Sequence, residues 1–335
     1  MEVEFNDDGS VSFRVPDHIQ ETIDDFEEDL GRAASNPANK QIFTINPKSE
    51  PLPESKRKRL HSMVQKLLWI AKRARPDIMV AVAFLTKRVT KATVEDWEKL
   101  RRCLSYLKQT IDMPLTIRID DLTVVKTWVD VAFGVHEDFK SHTGNVISMG
   151  KGALYARSMG QKLNTTSTTE SETVGVSDCL GQTIWTMNFL EHQGIKVRRN
   201  YYYQDNESAM RLEKNGIQSA SKRSRHIDIR FFFIKDRIEK GDIHLLYCPT
   251  EDMVADFFSK PLQGKLFIRF RDMIMGIIPM PLVEDPTLRS DATQERVGNE
   301  NFGADGRQTD AGNSTEKTKV TWADIVRKTS SVPTK

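Results

Sequence analysis

The order of patterns between residues 116 and 260 narrows the fold more than any other feature of this chain. "TVVKTWVDVAF", "GNVISMG" and "ALYARSM" read as strands of a meander. "TTESETVGVSDCLGQTIWTMNFLEHQG" reads as a long helix ended by Gly194, and "VRRNYYYQD" as a further strand. "ESAMRLEKNG" reads as a short helix ended by Gly216, and "SRHIDIRFFFIKDRIEKG" as a helix ended by Gly241. "DIHLLYCP" is a strand and "EDMVADFFSKPL" a last short helix. The order β-β-β-α-β-α-α-β-α predicts an α/β fold: a mixed five-stranded sheet with helices on it.

Ahead of this region, "VEFNDDGSVSFRV" reads as strand, tight Asp-Gly turn and strand. "PDHIQETIDDFEEDL" reads as a helix with Pro16 near its start. Residues 33–55, rich in Asn, Pro and Ser, read as a loop. Three helices are expected next. The first covers about 58–74. The second opens at "RPDIMVAVAFLTKRV", with an apolar stripe of Ile78, Val82, Leu85 and Val89. The third is "VEDWEKLRRCLSYLKQ", with Trp97, Leu100, Leu104 and Leu107 at helical spacing. Beyond about 283 the apolar supply collapses, and 284–335 are expected to form a disordered tail, "KVTWADIVRK" included.

Composition excludes several classes. The 335 residues carry a formal net charge of +2, so overall charge selects no partner. Residues 56–75, "KRKRLHSMVQKLLWIAKRAR", hold eight Lys or Arg and no acid. Such a run is commonly a solvated helix face, and otherwise a nucleic-acid-facing surface. Cys103, Cys179 and Cys248 are too scattered for a disulfide framework or a zinc site, which fits a reducing compartment. No apolar run approaches the roughly 18 residues of a membrane span. The acidic start "MEVEFNDDGS" is no signal peptide. The expectation is an intracellular protein of cytoplasm or nucleus, with no targeting signal and no membrane partner. The N-x-[ST] triplets at Asn164, Asn206 and Asn313 then carry no meaning.

Acids stand at element ends. Asp130 closes "KTWVDV", Asp205 closes "YYYQD", and Asp256 opens the last helix. Glu170 and Glu172 lie in the first turns of the long helix. In open sheets, functional groups gather at the carboxyl ends of adjacent parallel strands. If the first, fourth and fifth strands are neighbours, Asp130, Asp205 and Asp256 converge there and the long helix delivers Glu172. Clustered carboxylates repel, and hard cations with oxygen ligands relieve the repulsion. Two Mg²⁺ ions about 4 Å apart can clamp the attacking and leaving oxygens of a phosphodiester. Each acid also has a plainer reading. A strand-end Asp is commonly a turn residue, Glu170 and Glu172 can answer the helix dipole, and Asp256 can be an N-terminal helix acid.

Residues 120–276 resemble the ribonuclease H domain of copia-type retrotransposon polyproteins. The matching strings are "TWVDVAF", "SHTGNVISMG", "QKLNTTSTTESE", "YYYQDNESAM", "SRHIDIRFFFIKDRI", "YCPTEDMVADFFSKPL" and "LFIRFRDMIMG". Residues 60–109 resemble the region joining a reverse transcriptase palm to that domain, and 1–30 the last palm hairpin and helix. The resemblance implies four regions: 1–50 a palm remnant, 55–112 a helical thumb or connection-like region, 116–280 a ribonuclease H-like domain with helices on both faces of its sheet, and 284–335 the tail. It implies Asp130, Glu172, Asp205 and Asp256 as catalytic metal ligands, with Glu170 the second choice on the helix. It further implies two Mg²⁺ ions, with Mn²⁺ an alternative, and cleavage of the RNA strand of an RNA–DNA hybrid. Oligomeric state is left open.

Several features depart from the family. Val131 stands where a small residue is usual, and Thr173 where an apolar or aromatic one is common. His226 in "RHIDIR" is expected to be structural, and "CPTEDMVAD" is too short for a His-bearing loop. The paired acids of "TIDDF" and "RIDDL" lack the aromatic residue two positions ahead that a polymerase hairpin carries. The fingers and most of the palm would lie upstream of Met1, so polymerase activity is not expected. The hairpin at the start is expected to have lost its sheet partners. A catalytically idle nucleic-acid-binding remnant and a non-functional transposon fossil are the competing readings.

Overall fold

A computed structural model describes residues 1–215 and 225–281, and within it residues 1–6 and 10–281 form one unit. The tail and Gly216 lie outside the described residues.

The chain opens with an antiparallel hairpin of β1 (Glu2–Phe5) and β2 (Val11–Arg14). Contrary to the sequence expectation, this hairpin has a partner. β3 (Leu115–Ile119) pairs antiparallel with β2, Val11 opposite Ile117 and Phe13 opposite Leu115. The far side of β3 pairs with a two-residue strand, Gly150–Lys151, counted below as β6. The ladder satisfies the inner backbone edge of the hairpin. Of the hairpin, β1 stays at the rim, where Phe5 is 81% exposed.

The helices between β2 and β3 are α1 (Pro16–Asp24), α2 (Glu54–Arg73), α3 (Met79–Arg88) and α4 (Val94–Gln109). α3 is entered through a 3-10 turn at Pro76–Ile78. Three of its four expected stripe residues, Ile78, Val82 and Leu85, are buried. α4 starts with a capping box between Thr93 and Asp96.

The basic run is α2, and most of its charge is matched within the protein. Lys56 pairs with Glu28, Lys58 with Glu54, Arg59 with Glu27, and Lys66 with Glu21 and Asp25. Arg75 is wholly buried and forks onto Asp77, Nε to Oδ1 at 2.9 Å and Nη2 to Oδ2 at 2.8 Å. Tyr106 donates to the same carboxylate at 2.6 Å, which locks the end of α2 to α4. The helix is therefore held by ion pairs, and much less of it is a free cationic surface than the string suggests.

The main sheet comprises β4 (Val124–Ala132), β5 (His142–Ser148), β7 (Tyr155–Gly160), β8 (Arg199–Gln204) and β9 (His244–Tyr247), in the order β7-β5-β4-β8-β9. β4 is antiparallel to β5 and parallel to β8, and β8 is parallel to β9. This is the mixed five-stranded sheet expected from the pattern, of the ribonuclease H-like kind that the resemblance implies, with the first, fourth and fifth strands adjacent. β8, the tyrosine strand, is interior and buried on both faces, but the middle strand is β4.

Period-two alternation divides β4 and β8 between two faces. Thr127 and Val129 of β4 and Tyr202 of β8 meet α5 (Thr168–His192), together with Val176, Cys179 and Leu180 of that helix. α6 (Glu207–Asn215) and α7 (Arg225–Glu239) complete this layer through Met210 and Ile234. His226 falls in α7, and its side chain lies outside the described residues. Trp128, Asp130 and Tyr203 occupy the opposite face, the Trp128 and Tyr203 rings 4.9 Å apart. That face is covered near Asp130 by α8 (Asp256–Ser259), which is followed by α9 (Gly264–Ile274). No helix among the described residues is long and apolar enough to cross a membrane.

Candidate metal centre

Two glycines let the helices come close enough to build a site. Gly144 of β5 sits opposite Asp130 in the ladder. A Cβ there would lie 2.4 Å from the Ala255 carbonyl and 2.7 Å from the Ser259 amide, so only a residue without one admits α8. Gly175 of α5 plays the same part on the other face, where a Cβ would meet Val131 Cγ2 at 2.5 Å. The bulkier Val131 is thus accommodated by the helix packed on it.

Asp130, Asp205 and Asp256 come together on the α8 face. One oxygen from each lies within 4.8 Å of the other two. Asp205 follows the last residue of β8. The next residue, Asn206, caps α6 by accepting from the Ala209 amide at 3.0 Å, so strand end and helix start divide the acid and the amide between two tasks. Glu172 comes from α5, is 5% exposed, and has an Oε2 with no hydrogen-bond partner. It is not among the three clustered carboxylates, but charge on Asp130 and Asp205 reaches it. Glu170 is engaged elsewhere. Its Oε2 accepts from the Thr166 amide at 2.7 Å and the Thr166 hydroxyl at 2.6 Å, beside a helix start that Ser167 caps.

Two residues that carried no role in the sequence reading complete the centre. Ser259 donates its hydroxyl to Asp130 Oδ2. Lys260 Nζ donates to Asp256 Oδ1 at 2.7 Å and to Asp130 Oδ1 at 3.3 Å. The four-residue spacing of Asp256 and Lys260 was the available signal for the second. Behind Glu172 lies Glu213 of α6, fully buried. Its spacing from Ala209 and Met210 places it on the buried face of that helix.

The electrostatics are those of crowded acids. Burial, then the charge of Asp130, pushes the Asp256 carboxyl up to about 7, with Lys260 opposing. Burial and Asp130 also raise Asp205. Glu172 is driven well above the carboxylate range, first by burial and then by Asp130 and Asp205. Burial alone would lower Lys260, but Asp130 and Asp256 more than offset it and the ammonium is held charged. The donor set is carboxylate oxygen with no His or Cys in the cluster, the chemistry of a hard cation site. The Lys260 ammonium already stands as a cation between two of the acids, and the unpartnered Glu172 oxygen is a further ligand atom. The residues present therefore fit a divalent ion.

Fold and centre together define an α/β protein of the ribonuclease H-like type, with an acidic triad able to hold metal. Its curated homologues include retrovirus-related Pol polyproteins of plant copia-type transposons. The chain is 28% identical over 214 residues to the Pol polyprotein of transposon TNT 1-94 of Nicotiana tabacum, covering 64% of this chain and 16% of that one. It is 27% identical over 258 residues to that of transposon RE2 of Arabidopsis thaliana, covering 73% and 17%. It is 21% identical over 251 residues to a Ty1 Gag-Pol polyprotein of Saccharomyces cerevisiae, covering 71% and 14%. The chain thus spans about a sixth of the length of the plant relatives it matches. No protein-family model matches. Among solved structures, a foamy viral protease-reverse transcriptase in complex with an RNA/DNA hybrid is similar at a TM-score of 0.36 and 13% identity, covering 63% of this chain and 26% of that one.

Proposed function

We propose that the chain is a metal-dependent endonuclease of the ribonuclease H type, which cuts the RNA strand of RNA–DNA hybrids. The observation that carries this reading is the convergence of Asp130, Asp205 and Asp256 within 4.8 Å on one sheet face, at the ends of parallel neighbours β4 and β8 and the start of α8. The chain's likeness to Pol polyproteins supports a nucleic-acid enzyme.

Asp130, Glu172, Asp205 and Asp256 are the proposed catalytic metal ligands. Asp130 is the shared one, since its charge bears on each of the other three. Two Mg²⁺ ions, or Mn²⁺, would supply the Lewis acidity that activates a water and stabilises the departing oxygen of a phosphodiester. Ser259 fixes the Asp130 carboxylate through its hydroxyl, and Lys260 balances charge on Asp130 and Asp256. Glu170 holds the turn before α5 and is a positioning residue for Glu172. The hybrid would be read by duplex shape and 2′-hydroxyls.

Residues 1–50 and 55–112 are proposed as the palm remnant and the connection-like region of this Pol piece, without polymerase activity. In support, Asp24 and Asp25 are exposed at the end of α1. Asp120 pairs with Arg118, and Asp121 accepts from Thr123 and pairs with Arg198.

The test is the full chain incubated with a labelled RNA–DNA hybrid in Mg²⁺, beside single-stranded RNA and duplex DNA. Cleavage confined to the RNA of the hybrid, and abolished by Asp130→Asn and by Asp205→Asn with melting behaviour intact, is the expected result. A well-folded wild-type chain that leaves the hybrid whole ends the reading.

A further inference from the structure

A cleft of about 660 Å³ opens beside α3, the β4–β5 turn and the end of β7. Lys87 and Lys91 line it from α3 and just beyond, Lys140 from the turn, and Lys162 from the segment after β7. The acids at its rim are Glu137 and Asp138, and Asp138 is taken up by Lys140 at 2.8 Å. Among the described residues no carboxylate forms an ion pair with Lys87, Lys91 or Lys162. This contrasts with α2, whose lysines are largely paired.

The floor of the cleft explains how one of these charges is held without being cancelled. Lys87 Nζ lies 3.3 Å from His136 Nε2, which lies 2.9 Å from His142 Nδ1, and His142 Nε2 lies 2.7 Å from Ser158 Oγ. A charged Lys87 can only donate, so His136 Nε2 must accept. His142 Nδ1–H then shares the single lone pair of that nitrogen with Lys87, at the shorter distance, and the Ser158 hydroxyl donates to His142 Nε2. Both imidazoles are neutral in this arrangement. Burial, reinforced by neighbouring positive charge, keeps His136 down to about 4 and His142 well below its usual range. Phe43 packs on both rings, at 5.0 and 4.7 Å. Lys87 is therefore oriented by a neutral acceptor that does not cancel its charge; burial lowers the ammonium, and Asp138 opposes that shift.

The position matters as much as the charge. His142 pairs with Ala132 on one side and Gly160 on the other, while Asp130 pairs with Gly144. The cleft thus lies two residues beyond Asp130 along the strands, about 7 Å, and one to two strands sideways, about 5 to 10 Å. That separation is on the order of three base-pair rises of a duplex.

We propose that this cleft binds backbone phosphate of the nucleic-acid duplex whose scissile bond lies at the carboxylates, with Lys87, Lys91 and Lys162 as its cationic contacts. The inference rests on the nuclease reading for the identity of the duplex, and its test reads binding without cleavage. Full-length chain is titrated with a fluorescent RNA–DNA hybrid in EDTA over a range of KCl concentrations. Wild type is compared with Lys87→Gln/Lys91→Gln/Lys162→Gln, with the matching triple Lys→Arg variant, and with Asp130→Asn.

The Gln triple is expected to bind at least 10-fold more weakly at low salt, with the slope of log K against log [salt] shallower by about two to three. The Arg triple and Asp130→Asn are expected to keep the wild-type slope. A Gln triple that keeps the wild-type slope and affinity overturns the proposal and leaves the cleavage reading standing. Inorganic phosphate is titrated separately as a probe of a free-anion site. Saturable phosphate binding lost in the Gln triple, with hybrid binding unchanged, would reassign the cleft to a small anion and overturn the duplex contact. Loss of cleavage by Asp130→Asn with hybrid binding retained shows that the two sites are separable, as proposed.

Discussion

Lys260 stands one helical turn from Asp256 and bonds its carboxylate at 2.7 Å while also reaching Asp130 at 3.3 Å. One ammonium thus serves two of the three clustered acids. It occupies the electrostatic position that a divalent ion would share, so lysine and metal compete for the same negative charge. The Lys260 side chain is 36% exposed, and solvent screens part of its contribution. Lys260→Met is expected to destabilise the metal-free chain by about 1 kcal/mol at pH 8. It is also expected to lower the Mg²⁺ concentration that half-saturates a thermal-shift titration. A variant with wild-type Mg²⁺ dependence would show that the lysine and the ion do not share a site.

Gly144 sets how near α8 approaches the sheet. Gly144→Ala places a methyl group against the backbone of Ala255 and Ser259, where no side chain can rotate away. The helix must then move by about an ångström, taking Asp256 and Ser259 with it. Overpacking of this kind costs about 1–3 kcal/mol. Displacement of a metal ligand by that distance is expected to reduce hybrid cleavage on the order of 100-fold. Melting and cleavage measured on the same preparation separate the two effects. Cleavage near the wild-type rate would mean that α8 need not sit so close.

The contrast between Asp130 and Gly144 shows where sequence reading stops. Asp130, Asp205 and Asp256 are legible because each closes or follows a recognisable strand, and parallel neighbours align their carboxyl ends. Gly144 is silent in the sequence because its constraint comes from a helix more than 100 residues away. The pairing of β2 with β3 is illegible for the same reason, since nothing local in "VSFR" names "LTIRI" as its partner. Lys260 has a local signal, its four-residue spacing from Asp256, but that spacing acquires meaning only once Asp130 is seen facing the same helix. The basic run in α2 misleads in the other direction, because most of its neutralising acids lie in α1 and the loop after it.

The buried carboxyls make stability depend on pH with a definite sign. Burial pushes Glu213 up to about 7 in the folded chain, against about 4.3 when unfolded. Below about pH 4 both states hold the proton and the group contributes nothing. Between about pH 4 and 7 only the folded state still holds it, so raising the pH through this window lowers stability. Asp256, also raised to about 7, acts in the same direction. The neutral, buried His136 and His142 act the other way up to about pH 6.5, so thermal melts in EDTA should decline from pH 6.5 to pH 8. Glu213→Gln is expected to recover about 1–2 kcal/mol at pH 8 and almost nothing at pH 4.5. Mg²⁺ should remove the Asp256 part of the decline and leave the Glu213 part. A flat profile from pH 6.5 to pH 8 in EDTA would refute the assignment.

Away from the carboxylates, Arg75 and Asp77 form the ion pair on which the helical region depends. Both side chains are essentially inaccessible, and Tyr106 and the Thr110 carbonyl and hydroxyl complete their hydrogen bonds. Two charges buried together gain little over a well-packed apolar pair, but one buried alone is costly. Asp77→Ala should accordingly destabilise the chain by about 3–5 kcal/mol, because the Arg75 guanidinium is left without its counter-charge among α2 and α4. Replacing both, as Arg75→Met with Asp77→Leu, should return most of that loss, and urea denaturation of the two variants beside wild type measures the difference. If the double variant is as unstable as Asp77→Ala, the pair acts through its specific hydrogen bonds to Tyr106 and Thr110 and not through charge balance.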